Sequence, residues 1–158
     1  MKKKPFISII SPNYNNDRYL EETIKSVINQ TSKDFEYIVI DGKSTDKSLK
    51  IIKKYKKYIN YLESKKDRGV FHAVDKGIRK AKGKVIIWIN SDDLLHKDAV
   101  KSISRIFKSN KKLNWINGKA GYIKKNIKFS LIPYIYPKRI LSNGLAHKKF
   151  YGYVQQES

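Results

Sequence analysis

"KVIIWINSDDLL", residues 84–95, joins an unbroken apolar run to two adjacent carboxylates, Asp92 and Asp93. A short, continuous apolar run that stops at polar turn residues reads as a strand buried on both faces, the kind that fills parallel sheets. The acids begin where the strand ends. Whether the rest of the chain supplies partners for such a strand decides the fold.

It does so repeatedly. Upstream, "FISIIS" (6–11) is a second β-branched run, and "PNYNND" after it has turn and N-cap chemistry. In "RYLEETIKSVINQ" the residues Leu20, Ile24, Val27 and Ile28 share one helical face, with Glu21 and Glu22 near the positive N-terminal end. "FEYIVID" (35–41) predicts another strand. "GKSTDKS" predicts a turn with an N-cap at Ser44 or Thr45, and Leu49, Ile52 and Tyr55 mark the inner face of the helix that follows. "INYLES" (59–64) reads as a third strand in chain order. After "KKDRG", the segment "VFHAVDKGIRKAKG" places Val70, Val74, Ile78 and Ala81 on one helical face, with Gly83 as its C-terminal stop. Downstream of the acids, Val100, Ile103, Ile106 and Phe107 define a helix ending near Asn110, and "NWING", "GYIKK" and "IKFSLI" read as short strands and loops.

Strands separated by helix-length segments imply βαβ units with right-handed crossovers, hence an α/β protein whose mostly parallel sheet is flanked by helices. The 158 residues are the size of one domain, expected to span 1–158. Such sheets bind ligands outside the carboxyl ends of their strands. Asp41 ends the second strand, Asp67 follows the third, and Asp92 and Asp93 end the fourth, so all four are expected to converge on one edge.

Composition narrows the chemistry. The absence of cysteine excludes disulfides, thiolate zinc sites and cysteine nucleophiles, and fits a reducing compartment. His72, His96 and His147 show no metal-ligand spacing. No apolar stretch approaches the ~18 residues of a membrane span, and "MKKKPFISII" lacks the features of a secretory signal, so a cytoplasmic location is expected. A formal charge of +21 either draws the protein to polyanions such as nucleic acid, anionic lipid or phosphorylated substrates, or reflects lysine filling solvated faces. Residues 99–158 hold thirteen Lys or Arg but one acid, Glu157, so the other thirteen acids stand out in residues 1–98.

Adjacent carboxylates repel and raise each other's pKa unless a cation compensates. Oxygen ligands suit Mg²⁺ or Mn²⁺, which take one or two carboxylates together with the phosphate oxygens of a substrate, and this points to a nucleoside diphosphate. The alternative is that "SDD" is an N-cap turn feeding the next helix. The residues alone leave both readings open.

"SIISPNYNN", "IVIDGKSTD", "KDRG" followed by Ala73 to Ile78, "AKG" and "WINSDD" together resemble the family 2 glycosyltransferases in order and approximate spacing, over roughly residues 6–98. The resemblance implies the GT-A fold. It implies that Pro12 and Tyr14 line a nucleobase pocket, that Asp41 hydrogen-bonds the base (uracil in enzymes that use UDP-sugars), and that Asp67 completes the pocket while Arg68 meets phosphate. The acidic motif becomes DXD-like: Asp92 reaches the ribose or metal, and Asp93 holds Mg²⁺ or Mn²⁺ against the diphosphate. Glu157, in "VQQES", resembles the base of inverting members, beside the plainer reading of a solvated residue.

The implied reaction moves a sugar from a nucleotide-sugar, a UDP-sugar, to a hydroxyl of a saccharide or lipid-linked saccharide in cell-surface glycan synthesis. Residues 1–98 form the donor half and 99–158 a partial acceptor half, as in a short or C-terminally truncated member. Departures from the family pattern are Lys43 where a small residue is common, Asp75 where Asn is frequent, and Asn90 where some relatives carry Asp. A basic surface, with "FSLIPYIYPKR" (129–139) as an aromatic and basic patch or else a packed strand and loop, would give peripheral contact with an anionic membrane.

A basic nucleic-acid-binding protein is the competing class, but no RNA-recognition, zinc-finger or helix-turn-helix signature is present, and no specific nucleic acid is expected. A nucleotidyltransferase lacks support because no glycine-rich phosphate loop follows "FISIIS". An inactive nucleotide-sugar-binding domain is the third alternative.

Overall fold

The computed structural model of the chain describes residues 4–116 and the backbone of residues 135–137. Its elements in order are β1 (Ile7–Asn13), α1 (Asp17–Ile28), β2 (Phe35–Asp41), α2 (Ser48–Lys54), a 3₁₀ turn (Lys56–Tyr58), β3 (Tyr61–Ser64), α3 (Val70–Lys80), β4 (Val85–Trp88), α4 (Ala99–Ser109) and β5 (Ile135–Pro137). The strands form one sheet in the order β3-β2-β1-β4-β5, in which β5 alone runs antiparallel. The expected mostly parallel, helix-flanked sheet is what the chain forms.

Alternation along the strands splits the core in two. Ile7 and Ile9 of β1, Tyr37 and Val39 of β2, and Val85 and Ile87 of β4 pack with Leu20, Ile24 and Val27 of α1, Ile52 of α2, and Val100, Ile103 and Phe107 of α4. Ile10, Ile38, Ile40 and Ile86 point the other way, against Ala73 of α3 and Ala81 just beyond it. Each fully buried aliphatic side chain contributes roughly 2 kcal/mol. Because both faces are covered, the strands carry apolar residues on both sides, which is why they read as runs rather than as alternating patterns.

Four local expectations are corrected. On α4 the buried apolar face is Val100, Ile103 and Phe107, whereas Ile106 is exposed. Helix α2 starts at Ser48, not after a cap at Ser44 or Thr45. Ser44 is bound to Asp41, the Thr45 N–H is taken by Asn15 Oδ1 at 2.8 Å, and Asp46 Oδ1 instead accepts the Ser48 N–H at 2.9 Å. The inner face of α3 is Ala73, Val74 and Gly77, whereas Val70 is exposed. Gly77 sets that face: a Cβ there would lie 2.5 Å from Ile10 Cγ2, so the bare backbone lets the helix close on β1. Gly83 is not the helix stop, because the helix ends before Ala81, whose backbone is extended. A Cβ on Gly83 would lie 2.6 Å from the β1 backbone at Ile7 and Ser8, so glycine is needed there for close approach.

Beside it Glu36, buried, accepts from Ser8 Oγ and from the Lys82 and Gly83 N–H groups, which explains an acid inside a strand. No helix among the described residues is long and apolar enough to cross a membrane.

Candidate functional site

Register fixes the edge. Asn13 pairs with Asp41, and Asp41 with Ser64, at the carboxyl ends of β1, β2 and β3. On the other side of β1, Ile10 pairs with Trp88, where β4 ends and the chain leads into Asn90 and Ser91, which share the cleft lining with Asn13. A cleft of about 530 Å³ opens at this edge, within the size range of small-ligand sites.

The β1–α1 loop and α1 hold the acidic loop in place. Asn16 Nδ2 donates to Ser91 Oγ at 2.9 Å, and Thr23 Oγ1 donates to the Asp93 carbonyl at 2.8 Å. Ser26 Oγ accepts the Leu95 N–H, and Gln30 bridges the loop by donating to the His96 carbonyl at 2.7 Å and accepting the Val100 N–H at 3.0 Å. The "SDDLL" turn is therefore pinned at both ends by polar side chains of α1 and of the residues that flank it. The N-termini of α1 and α2 also cap each other: Asp46 accepts the Asp17 N–H at 2.9 Å, and Asp17 accepts the Lys47 N–H at 3.1 Å.

The four acids expected to converge share the edge but divide in role. Asp41 is fully buried and does not line the cleft. One of its oxygens accepts from Asn13 Nδ2 and Ser44 Oγ, the other from the Ser44 N–H at 3.0 Å and Ser64 Oγ at 2.7 Å. Burial opposes its charge, but these donors outweigh burial and hold the carboxyl below its ordinary value.

Asp67 does line the cleft. Its Oδ1 accepts the Gly69 N–H at 2.9 Å. Its Oδ2 faces Gly42, where a Cβ would sit 3.1 Å from that oxygen and 3.2 Å from the Tyr14 ring. Tyr14, 64% exposed, thus forms one wall and Asp67 the other, with glycine leaving the space between them open. Pro12 lines the floor beside them.

At the end of β4, Asn90 and Ser91 line the cleft, with Asp92 exposed and Asp93 half-buried just beyond. Asp93 Oδ2 accepts from Asn90 Nδ2 at 3.1 Å. Burial first, and the charge of Asp92 second, push the Asp93 carboxyl above its ordinary value, and the Asn90 donors fall short of reversing this. Among the described residues no group of three or more His, Cys, Asp or Glu is placed to hold a metal. What the edge offers is a pair of oxygen donors, which fits a cation that completes its shell with substrate phosphate and water.

Arg68 is exposed at the lip, its N–H donated to His72 Nδ1 at 3.1 Å, and it is not part of the lining. Glu157 lies outside the described residues, as does His147 and, apart from the backbone of 135–137, the 129–139 patch.

Sequence reasoning missed Asn13, Lys66 and Ser91 as lining residues, and it noted Lys43 and Asn90 only as departures. Strand alternation could have flagged Asn13, which shares the inward face with Asp41. Its Oδ1 is buried without a hydrogen-bond partner.

A family model described as glycosyl transferase family 2 matches residues 8–150. Poly(ribitol-phosphate) beta-N-acetylglucosaminyltransferase TarP of Staphylococcus aureus (strain N315) is 38% identical over 115 residues, 70% of this chain and 34% of that protein. The putative teichuronic acid biosynthesis glycosyltransferase TuaG of Bacillus subtilis (strain 168) is 34% identical over 103 residues, 62% of this chain and 40% of that protein. The chain thus spans well under half the length of these relatives.

Among solved structures, S. aureus TarS 1–349 in complex with UDP-GlcNAc superposes with a TM-score of 0.69 at 22% identity, over 87% of this chain and 48% of that one. The mannosyltransferase PcManGT of Pyrobaculum calidifontis, in complex with GDP-Man and Mn²⁺, gives 0.71 at 17% identity, over 89% and 47%. The sheet order, the helices on its two faces and these superpositions make the fold GT-A. With the family model matched over most of its length, the chain belongs to glycosyl transferase family 2.

Proposed function

We propose that this domain takes a sugar from a UDP-sugar and transfers it to an acceptor hydroxyl, using a divalent cation, Mg²⁺ or Mn²⁺, held by Asp93 and Asp92. The observation that carries this reading is the placement of two adjacent acids, Asp93 half-buried and Asp92 exposed, just beyond the lining of a ligand-sized cleft, with no cation of the protein paired to either among the described residues. A structural turn would gain from neutralising such a pair, whereas a cation site needs it charged.

In this reading the base lies against Tyr14 and donates an N–H to the free Oδ2 of Asp67, with Pro12 beneath. Asp41 is a positioning residue that fixes Asn13, Ser44 and Ser64 under the floor, rather than a direct contact to the base. Arg68 at the lip meets phosphate. Asp92 reaches the ribose or the cation, and Asp93 holds the cation. When bound, the cation would stabilise the charge left on the departing diphosphate as a Lewis acid. Removal of the acceptor proton, with inversion at the anomeric carbon, is assigned to Glu157 on the family resemblance.

The names of the relatives, one a poly(ribitol-phosphate) N-acetylglucosaminyltransferase and one tied to teichuronic acid biosynthesis, favour a saccharide or lipid-linked saccharide acceptor. The charge of +21 favours work at the inner face of an anionic membrane, from the cytoplasmic side. Calorimetric titration of UDP with and without Mn²⁺, on the wild type and Asp93→Ala, tests the site. Binding is expected to depend on Mn²⁺ and to weaken by about tenfold or more in the variant. Undiminished binding in Asp93→Ala would remove the assignment.

A further inference from the structure

Two lysines line the cleft together with the Asp67 carboxylate, and one of them sits there against the preference of its own backbone. Lys43 has φ +69°, a left-handed conformation that glycine adopts freely and lysine does not. It follows Gly42, the residue lodged between the Tyr14 ring and Asp67 Oδ2, and Lys66 immediately precedes Asp67. Both lysines line the cleft, and neither ammonium has an ion-pair partner among the described residues. Glycine or asparagine would make the same turn with less strain. What lysine adds is a long donor with no acceptor capacity.

The neighbouring acceptor is already defined. Gly69 N–H holds Asp67 Oδ1, and Oδ2 accepts no hydrogen bond from the described residues in a cleft that Lys43 and Lys66 also line. The hydrogen-bonding edges of the bases differ in order: uracil shows carbonyl, N–H, carbonyl; guanine carbonyl, N–H, amino; cytosine carbonyl, bare ring nitrogen, amino. With the carboxylate between them, the two ammonium groups of this lining would present donor, acceptor, donor. Of these three bases only uracil, whose edge thymine shares, complements that order at every position. Guanine would turn its amino group towards a lysine, and cytosine its ring nitrogen towards the carboxylate.

We propose that Lys43 determines base specificity, donating to a uracil carbonyl beside the N–H accepted by Asp67, with Lys66 serving the other carbonyl. This rests on the nucleotide-donor reading above and goes beyond it by naming the residue that chooses the nucleotide. The left-handed backbone at Lys43 is then the cost of placing that donor at the mouth of the base pocket.

The test is calorimetric titration of UDP, GDP and CDP, each with Mn²⁺, on the wild type, Lys43→Gly and Lys43→Asn. Both replacements tolerate the left-handed backbone, so both are expected to melt at or above the wild-type temperature. The wild type is expected to bind UDP about tenfold or more tighter than GDP or CDP. Both variants should lose about tenfold for UDP while GDP and CDP stay within about twofold, which narrows the preference.

An unchanged UDP preference in the variants overturns the proposal. Equal weakening of all three nucleotides also overturns it, because the lysine would then serve the diphosphate they share. A melting temperature well below the wild type's would make Lys43 a structural residue, with the same consequence. Wild-type protein that binds none of the three would overturn the donor reading and this proposal together.

Discussion

Asp41 closes β2, whereas Asp93 lies in the turn after β4, which ends earlier than expected at Trp88; the two acids stand on either side of β1 at the same edge of the sheet, yet their surroundings are opposite. Asp41 has donors on both oxygens and no exposed surface, and its carboxyl is held low. Asp93 has one side-chain donor, a second acid as its neighbour and a carboxyl pushed up. The first spends its charge within the fold. The second keeps its charge unsatisfied at the rim, where a cation can use it. Two identical side chains become a structural hub and a ligand-facing group because of the donors the chain brings to each.

The sharpest way to break that contrast is Asp41→Asn. An amide facing the Ser44 N–H and Asn13 Nδ2 leaves buried donors unpaired, and a loss of about 3 kcal/mol is expected in denaturant or thermal unfolding. Wild-type stability in this variant would end the description of Asp41 as a hub.

An acid titration separates the two groups next. Asp93 must be ionised to hold a cation, so Mn²⁺-dependent nucleotide binding should fall as pH drops through its raised value, by about tenfold per pH unit below it. The stability contributed by Asp41 is present above the ordinary carboxylate value of 3.8 and disappears only as pH falls through its lowered value. Glu21, held by Lys54, Tyr55 and Lys25 at about 2 instead of 4.5, likewise keeps its contribution until strong acid. Binding should thus vanish while circular dichroism still reports a folded protein, and simultaneous loss of both would contradict the separation.

Gly42→Ala sharpens the comparison at the base end. A methyl 3.1 Å from Asp67 Oδ2 and 3.2 Å from the Tyr14 ring should weaken nucleotide binding severalfold and leave melting nearly unchanged, as read by titration and thermal melts. The smallest effect is on Asp93 itself. Asp93→Asn relieves the repulsion from Asp92 and keeps an acceptor for Asn90, so stability should rise by on the order of 0.5–1 kcal/mol even as cation binding is lost. A fall in melting temperature would mean that the loop needs the charge.

Much of this was legible in the residues. β2 begins and ends where "FEYIVID" does, and three of the four apolar residues expected on the inner face of α4, Val100, Ile103 and Phe107, are buried, the fourth, Ile106, being exposed. What stayed hidden depended on contacts distant in sequence. Ser44 looks like a helix cap until Asp41 takes it, and Gly77 and Gly83 look ordinary until β1 is laid against them. The edge to which the acids belong followed from topology, but not whether a strand-end carboxylate turns inwards or outwards. That depends on whether Ser44, Ser64 and Asn13 arrive with free donors, which no local pattern states.

The antiparallel strand at the sheet's far side has a consequence for how the chain matures. The partner of Val85–Ile87 comes from residues 135–137, so a growing polypeptide completes β1, β2 and β4 well before that flank is covered. In that interval the bare backbone of β4 is a template on which another nascent chain could add a strand, and nearby lysines offer repulsion as the defence. Once residues 135–137 dock, the flank of the sheet among the described residues is a strand three residues long that ends in Pro137, which has no amide hydrogen to offer a further neighbour.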